Sequence, residues 1–220
     1  MKKKLLKIYS LLYDHFGPQA WWPAVTPFEV MVGAILTQNT NWLNVEKAIA
    51  NLKGAKGLRA EGLGKMNIRR LEELIRPSGY YRQKAKKLKA FVKFFLGEYD
   101  GSIRKMRKGE VGELRKELLA VHGIGPETAD SMLCYALDKP TFVVDAYTKR
   151  IGKRVGLFKY SEYPEIKDYF EKNLPKDLEI YKEYHALIVE LGKNYCKTKP
   201  DCKNCPIKKL CSRIIFREQN

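Results

Sequence analysis

Three observations predict an all-α fold. Apolar residues recur at helical spacing along nearly the whole chain, alternation of period two is nowhere sustained, and glycine, proline or short polar residues punctuate the apolar runs where helices must end. Leu5, Ile8, Leu11 and Leu12 make a first helix, closed by Gly17-Pro18, and Trp21-Trp22-Pro23 follows as an aromatic link. Phe28, Met31, Val32, Ile35 and Leu36 form a strongly apolar second helix. Thr37-Gln38-Asn39-Thr40 interrupts it before Val45, Ile49 and Leu52 resume, which places four polar side chains at a helix end, toward a cleft or solvent. Further helices are predicted over 68–75, 81–95 and 112–120, with Pro77-Ser78-Gly79 between the first two.

Val121-His122-Gly123-Ile124-Gly125-Pro126 reads as a sharp turn into the next helix. Pro126 suits a first helical position, and Ala129, Met132, Leu133, Ala136 and Leu137 continue at i, i+3, i+4, i+7 and i+8. After Lys139-Pro140, an extended 141–144 leads to Asp145, placed as the N-cap of a helix over 146–155. Two more helices, over 164–173 and 177–192, precede a cluster of cysteines. No internal repeat or low-complexity tract interrupts the pattern.

The 220 residues carry 42 Lys+Arg against 25 Asp+Glu, a formal charge of +17, and 45% are hydrophobic. That apolar content excludes a disordered chain and suffices for one domain or two small ones. No apolar run approaches the roughly 18–20 residues of a membrane span, and Met1-Lys2-Lys3-Lys4 begins no secretion signal, so a cytoplasmic, nucleoid-associated protein is expected. The positive excess points to nucleic acid, where Lys and Arg displace the counterions condensed on phosphates; a Lys-rich thermophile-like surface and an anionic membrane are its rivals. Charge supplies affinity, not chemistry.

Two clusters could carry chemistry. Gly123 and Gly125 permit positive φ and close approach of the backbone at the positive end of the following helix, which suits a phosphate; an ordinary tight turn also needs glycine. Four of the five cysteines are spaced Cys196-x5-Cys202-x2-Cys205-x5-Cys211, too close together for a secreted disulfide framework, and from spacing alone zinc and an iron–sulfur cluster stand level. Cys134 belongs to an apolar helix face, and His185 reads as a structural hydrogen-bonding residue.

The stretch from Leu119 to Asp130, followed by Val143-Val144-Asp145-Ala146-Tyr147-Thr148-Lys149-Arg150 and the four-cysteine tail, resembles the helix-hairpin-helix DNA glycosylases, specifically their endonuclease III branch. The resemblance runs from Phe28 to Cys211. It implies two all-α lobes: a six-helix barrel over 22–137 holding the hairpin (about 113–137), and a second lobe from 1–21 with 138–220 holding the catalytic aspartate and the cysteine loop. It assigns catalysis to Asp145 and a [4Fe–4S] cluster to Cys196, Cys202, Cys205 and Cys211, with zinc as the alternative, although the first cysteine loop is one residue shorter than the branch's usual spacing. Bifunctional members carry a lysine two residues after the second hairpin glycine. This chain has Glu127 there, which cannot form an imine, so the resemblance implies a monofunctional enzyme that leaves an abasic site.

Trp21-Trp22-Pro23, the segment from Leu36 to Trp42, Arg76 to Lys86, and Gly123 to Glu127 also look like type III 3-methyladenine DNA glycosylases, whose described members tend to lack the cysteine tail. On that likeness Trp21, Trp22, Pro23, Trp42 and Glu127 form the base pocket, where electron-rich rings favour a cationic alkylated purine, though each tryptophan could equally be core. Gln38 fills the gap left by the flipped base. His122, Gly123, Gly125, Thr128 and Lys149 join it as DNA contacts. The expected partner is double-stranded DNA with a damaged base, bound by a monomer. Removal of mismatched thymine or uracil or of oxidised pyrimidines is the second enzymatic reading, and a non-catalytic DNA-binding protein the third.

Overall fold

The computed structural model describes residues 2–212. Met1 and residues 213–220, which the sequence reading assigns to the second lobe, lie outside the described residues. Among the described residues twelve α-helices run in chain order: α1 (Lys2–Phe16), α2 (Pro27–Leu36), α3 (Trp42–Gly54), α4 (Ala60–Lys65), α5 (Ile68–Ile75) and α6 (Tyr81–Tyr99). They continue with α7 (Ile103–Met106), α8 (Val111–Ala120), α9 (Pro126–Ser131), α10 (Ala146–Val155), α11 (Tyr163–Asn173) and α12 (Leu178–Asn194). No strand forms among the described residues, and none of their helices is long and apolar enough to cross a membrane. The chain divides into two compact units, Trp22–Lys139 and the residues before Trp22 together with those from Pro140 onward.

In the Trp22–Lys139 unit α2 is the central element. Thr26 caps it by accepting from the Glu29 amide at 3.1 Å, and Pro27 takes the first position, where a missing N–H costs nothing. Every residue from Phe28 to Leu36 is buried, so the helix is enclosed on all sides, with α3, α6 and the segment Met132–Ala136 against it. Phe28, Phe91 and Phe95 stack with near-parallel rings. The C-terminal carbonyls, which a helix cannot satisfy internally, are met from α6: the fully buried Lys84 donates through Nζ to Leu36 O at 2.7 Å and to Ser78 O at 2.6 Å. An ammonium at the negative end of α2 is favoured by the helix dipole. Burial, and secondarily Lys87, lowers its pKa to about 8.

The helix after the hairpin departs from the regular period read in the sequence. It stops being α-helical at Ser131 and widens into a π-helical turn over Met132–Ala136, closed by Leu137 N donating to Met132 O at 3.1 Å. All five residues of the turn are buried. The wider turn rotates the following side chains relative to an α-helix, and Tyr135 lies against Trp22, ring centroids 5.4 Å apart.

The other unit is built around α12, against which α1 and α10 pack. Leu5, Ile8 and Leu12 give α1 one apolar face, and Tyr184 of α12 donates its hydroxyl to Leu5 O at 2.9 Å from a fully apolar setting. The extended stretch before α10 is pinned by Phe142, stacked on Phe170 at 4.2 Å and met edge-on by Tyr181 and Tyr184. Val144 N donates to Tyr163 Oη at 3.3 Å. The backbone leading into residue 145 is therefore held by core side chains on both sides.

Candidate functional site

Asp145 stands where that anchored stretch becomes α10. Its Oδ1 accepts from Thr148 N at 2.7 Å and from Thr148 Oγ1 at 2.8 Å, the side-chain cap expected at a helix N-terminus. Its Oδ2 lies 3.7 Å from His185 Nε2, and His185 is itself almost completely buried in α12. Burial alone would raise the Asp145 pKa, but His185 and the two Thr148 donors outweigh it and hold the carboxyl below the ordinary 3.8. Thus a carboxylate whose side chain is only 13% exposed stays ionised. Trp21 packs on His185 with centroids 5.3 Å apart, and Lys193 Nζ lies 6.0 Å from the Trp21 ring. Lys149, one turn into α10, sits over the Tyr163 ring at 5.9 Å.

In the other unit the hairpin joins α8 to α9. Gly123 has φ +83, and a Cβ there would meet Lys87 Cγ at 2.3 Å, so both the conformation and the Lys87 stem demand glycine. Gly125 differs from expectation: its φ of −93 is ordinary extended backbone, and what its lack of a side chain leaves is open space. Ile124 is buried and anchors the turn. Gln38 clamps the hairpin from the loop after α2, donating through Nε2 to Gly123 O at 3.1 Å and Thr128 Oγ1 at 3.0 Å, while its Oε1 accepts from Lys87 Nζ. Thr128 is buried in that clamp, whereas His122 and Glu127 are exposed.

The remaining tryptophans lie together. Trp22 and Trp42 meet nearly perpendicular at 5.4 Å, both resting against Gly33 of α2, where a Cβ would contact both indoles. Beside them a cleft of about 290 Å³ is lined by Pro23, Glu29, Trp42, Glu46 and Lys53. The structure therefore brings Asp145 and Trp21 together through His185, gathers Gln38, Gly123 and Thr128 into one clamp, and groups Trp22, Pro23 and Trp42. Sequence reasoning missed His185 as Asp145's neighbour, Glu46, Lys87, and Tyr80, which is 71% exposed with φ +44 ahead of α6. For Lys87 the sequence carried no signal, because only the packing of α6 against α2 brings it to Gln38.

Cys196, Cys202, Cys205 and Cys211 line one pocket with Ile151 and Leu191. Burial, reinforced by the other three thiols, pushes Cys205 up to about 11 despite a hydrogen bond from the Ile207 amide. Arg154 crosses from α10 to donate to Cys196 Sγ at 3.3 Å and Lys197 O at 2.6 Å. Among the described residues no three His, Cys, Asp or Glu side chains are grouped so as to hold a single metal ion.

Residues 32–176 match the family described as HhH-GPD superfamily base excision DNA repair protein, and the chain belongs to that superfamily. Within it, MJ1434 of Methanocaldococcus jannaschii, named provisionally as a DNA repair glycosylase, is 55% identical over 210 residues, covering 94% of this chain and 95% of the relative. Endonuclease III of Thermotoga maritima is 32% identical over 186 residues, 84% of this chain and 82% of its own. Among solved structures, the H. pylori 3-methyladenine DNA glycosylase MagIII bound to 1,N6-ethenoadenine matches with a TM-score of 0.77 at 32% identity, covering 87% of this chain and 96% of that one.

Proposed function

We propose that the protein is a DNA glycosylase that hydrolyses the N-glycosidic bond of alkylated purines such as 3-methyladenine and leaves an abasic site with the strand intact. The observation that carries this reading is the ionised, capped carboxylate of Asp145. As the C1′–N bond breaks, the bonding pair leaves with the base and the sugar becomes cationic; a fixed anion stabilises that charge while water adds at C1′ and gives up a proton to solvent, leaving the C1′ hydroxyl. The damaged base must first leave the stack, which is cheapest where pairing or stacking is already weakened. Likeness to MagIII supports an alkylated purine as the substrate, and Glu127 in place of a nucleophilic lysine supports hydrolysis without lyase chemistry.

The partner in this reading is duplex DNA, bound by a monomer at the nucleoid. The open side of Gly125 gives room for a phosphate, Lys149 adds charge, and the exposed ring of Tyr80 offers a surface for stacking on a base step. The four thiols suit a [4Fe–4S] cluster: they are the pocket's sulfur donors in largely apolar surroundings, and the Cys205 thiol, pushed up by burial, is one that a metal's charge would ionise. A zinc ion, the alternative, would need the thiols drawn closer together than they stand. Bound there, the cluster would supply metal–sulfur bonds that fasten the C-terminal loops.

A second reading, removal of oxidised pyrimidines or of thymine or uracil mismatched with guanine, is favoured by the Thermotoga endonuclease III relative. Base release from methylated DNA, measured beside thymine glycol and G·T duplexes, separates the two. Release of 3-methyladenine alone upholds the proposal, release of pyrimidines alone replaces it with the second reading, and no release anywhere leaves a DNA-binding protein.

A further inference from the structure

The geometry points to His185 as a positioning residue of the base-release reaction, one that acts on the sugar only through Asp145, by holding the second oxygen of its carboxylate. This rests on the reading of Asp145 as the anion that faces the sugar, and it adds the group that aims it. Both Thr148 donors fall on Asp145 Oδ1, at 2.7 and 2.8 Å, which uses that oxygen's two lone pairs. Oδ2 is therefore the oxygen with capacity left for a cationic sugar or an attacking water. His185 Nε2 lies 3.7 Å from it, a separation that a side-chain shift of about 1 Å turns into a hydrogen bond. With Oδ1 tied to α10 and Oδ2 met from α12, the carboxylate plane is fixed from both sides.

The packing of α12 builds that contact. His185 and Gly192 lie two helical turns apart and so share a face of α12. At Gly192 a Cβ would meet Tyr147 Cδ1 at 2.1 Å, so glycine is what lets α12 approach α10 this closely, and Tyr147 follows Asp145 by two residues. Trp21 packs on the imidazole with centroids 5.3 Å apart and so limits where the ring can turn. His185 stands in a run of buried residues, Tyr184 to Val189, where an apolar side chain would be cheaper to bury. Its side chain is 4% exposed, too little for DNA to touch, so any part it takes in the reaction passes through Asp145. Burial opposes the Asp145 charge, and His185 leads the groups that restore it.

Single-turnover base release from a methylated duplex, compared among wild type, His185→Leu, His185→Gln and the same changes combined with Asp145→Asn, tests the assignment. His185→Leu, which fills the space without an N–H, should slow release about tenfold to a hundredfold, the scale on which a group that orients an active-site residue acts. Affinity for a duplex carrying a tetrahydrofuran abasic-site analogue should stay within about twofold, because His185 does not touch DNA. His185→Gln, whose amide nitrogen reaches about as far as Nε2, should recover most of the rate. On the residual release of Asp145→Asn, His185→Leu should cost about twofold or less, since the group it acts through is gone. Nitrogen-edited NMR of the three histidines reads the contact without any His185 variant: the His185 Nε2 resonance should move in Asp145→Asn. A full-rate His185→Leu, an equal loss in the Asp145→Asn background, no recovery in His185→Gln, or an unmoved resonance overturns the inference. If the wild type releases pyrimidines instead, the substrate reading falls and the same comparison on that duplex decides the inference. Wild-type release from methylated DNA that ignores His185 sinks the inference alone, and a wild type that releases nothing from any duplex sinks both.

Discussion

At the scale of single residues, the structure gives Asp145 a capping duty and the proposed reaction gives it a chemical one. Because Asn caps a helix about as well as Asp, Asp145→Asn should keep the fold to within about 1 kcal/mol while base release falls at least a hundredfold, roughly the size of one lost electrostatic stabiliser. Thermal unfolding and single-turnover release measure the two halves; parallel losses would mean that the residue is only a cap. The sign of its pH dependence follows from the lowered pKa. The folded state holds the anion more tightly than the unfolded chain does, so this contribution to stability is complete above the ordinary carboxylate range and is lost as pH falls through the depressed value. The cap was legible because a lone acid ahead of an apolar-periodic run has one common local use. His185 was not, since it is 40 positions along the chain and only the packing of α12 on α10 brings it to Oδ2.

At the scale of elements, the polar loop 37–40 depends on how α2 ends. Lys84 holds the Leu36 and Ser78 carbonyls, so Lys84→Met strands two buried acceptors, at about 1–3 kcal/mol each. The variant should melt several degrees lower. Lys84's lowered pKa adds a second signature: the folded state disfavours its charge, so wild-type stability should rise between pH about 8 and 10 as the ammonium deprotonates, and that rise should shrink in Lys84→Met. Equal slopes in both proteins would refute this account of the α2 terminus. The long helices were readable because each repeats its apolar period several times. α4 and α7, of six and four residues, are too short to show a period. The π turn at Met132–Ala136 was hidden because buried side chains at its apolar positions fit an α-helix equally well in sequence.

For the molecule as a whole, the all-α class followed from periodicity, and the order of hairpin, aspartate-capped helix and cysteine tail pointed to the superfamily that residues 32–176 match. The ion pair of Lys53 with Glu29 and the hydrogen bond of Trp42 to Glu46 beside the cleft were not legible, because no spacing in the sequence announces them. If the four thiols hold an iron–sulfur cluster, protein purified without oxygen should absorb in the visible and lose stability when iron is removed; a colourless protein carrying one zinc ion would replace the cluster with zinc.

The central claim is that a fixed carboxylate supports base loss with no amine attacking the sugar. Borohydride reduction during turnover of a methylated duplex tests it most directly, because reduction makes any lysine–sugar imine permanent. The account predicts released purine, an intact strand carrying an abasic site, and no covalent protein–DNA adduct beyond that of Asp145→Asn. A wild-type adduct that accumulates with base release and strand cleavage would contradict it.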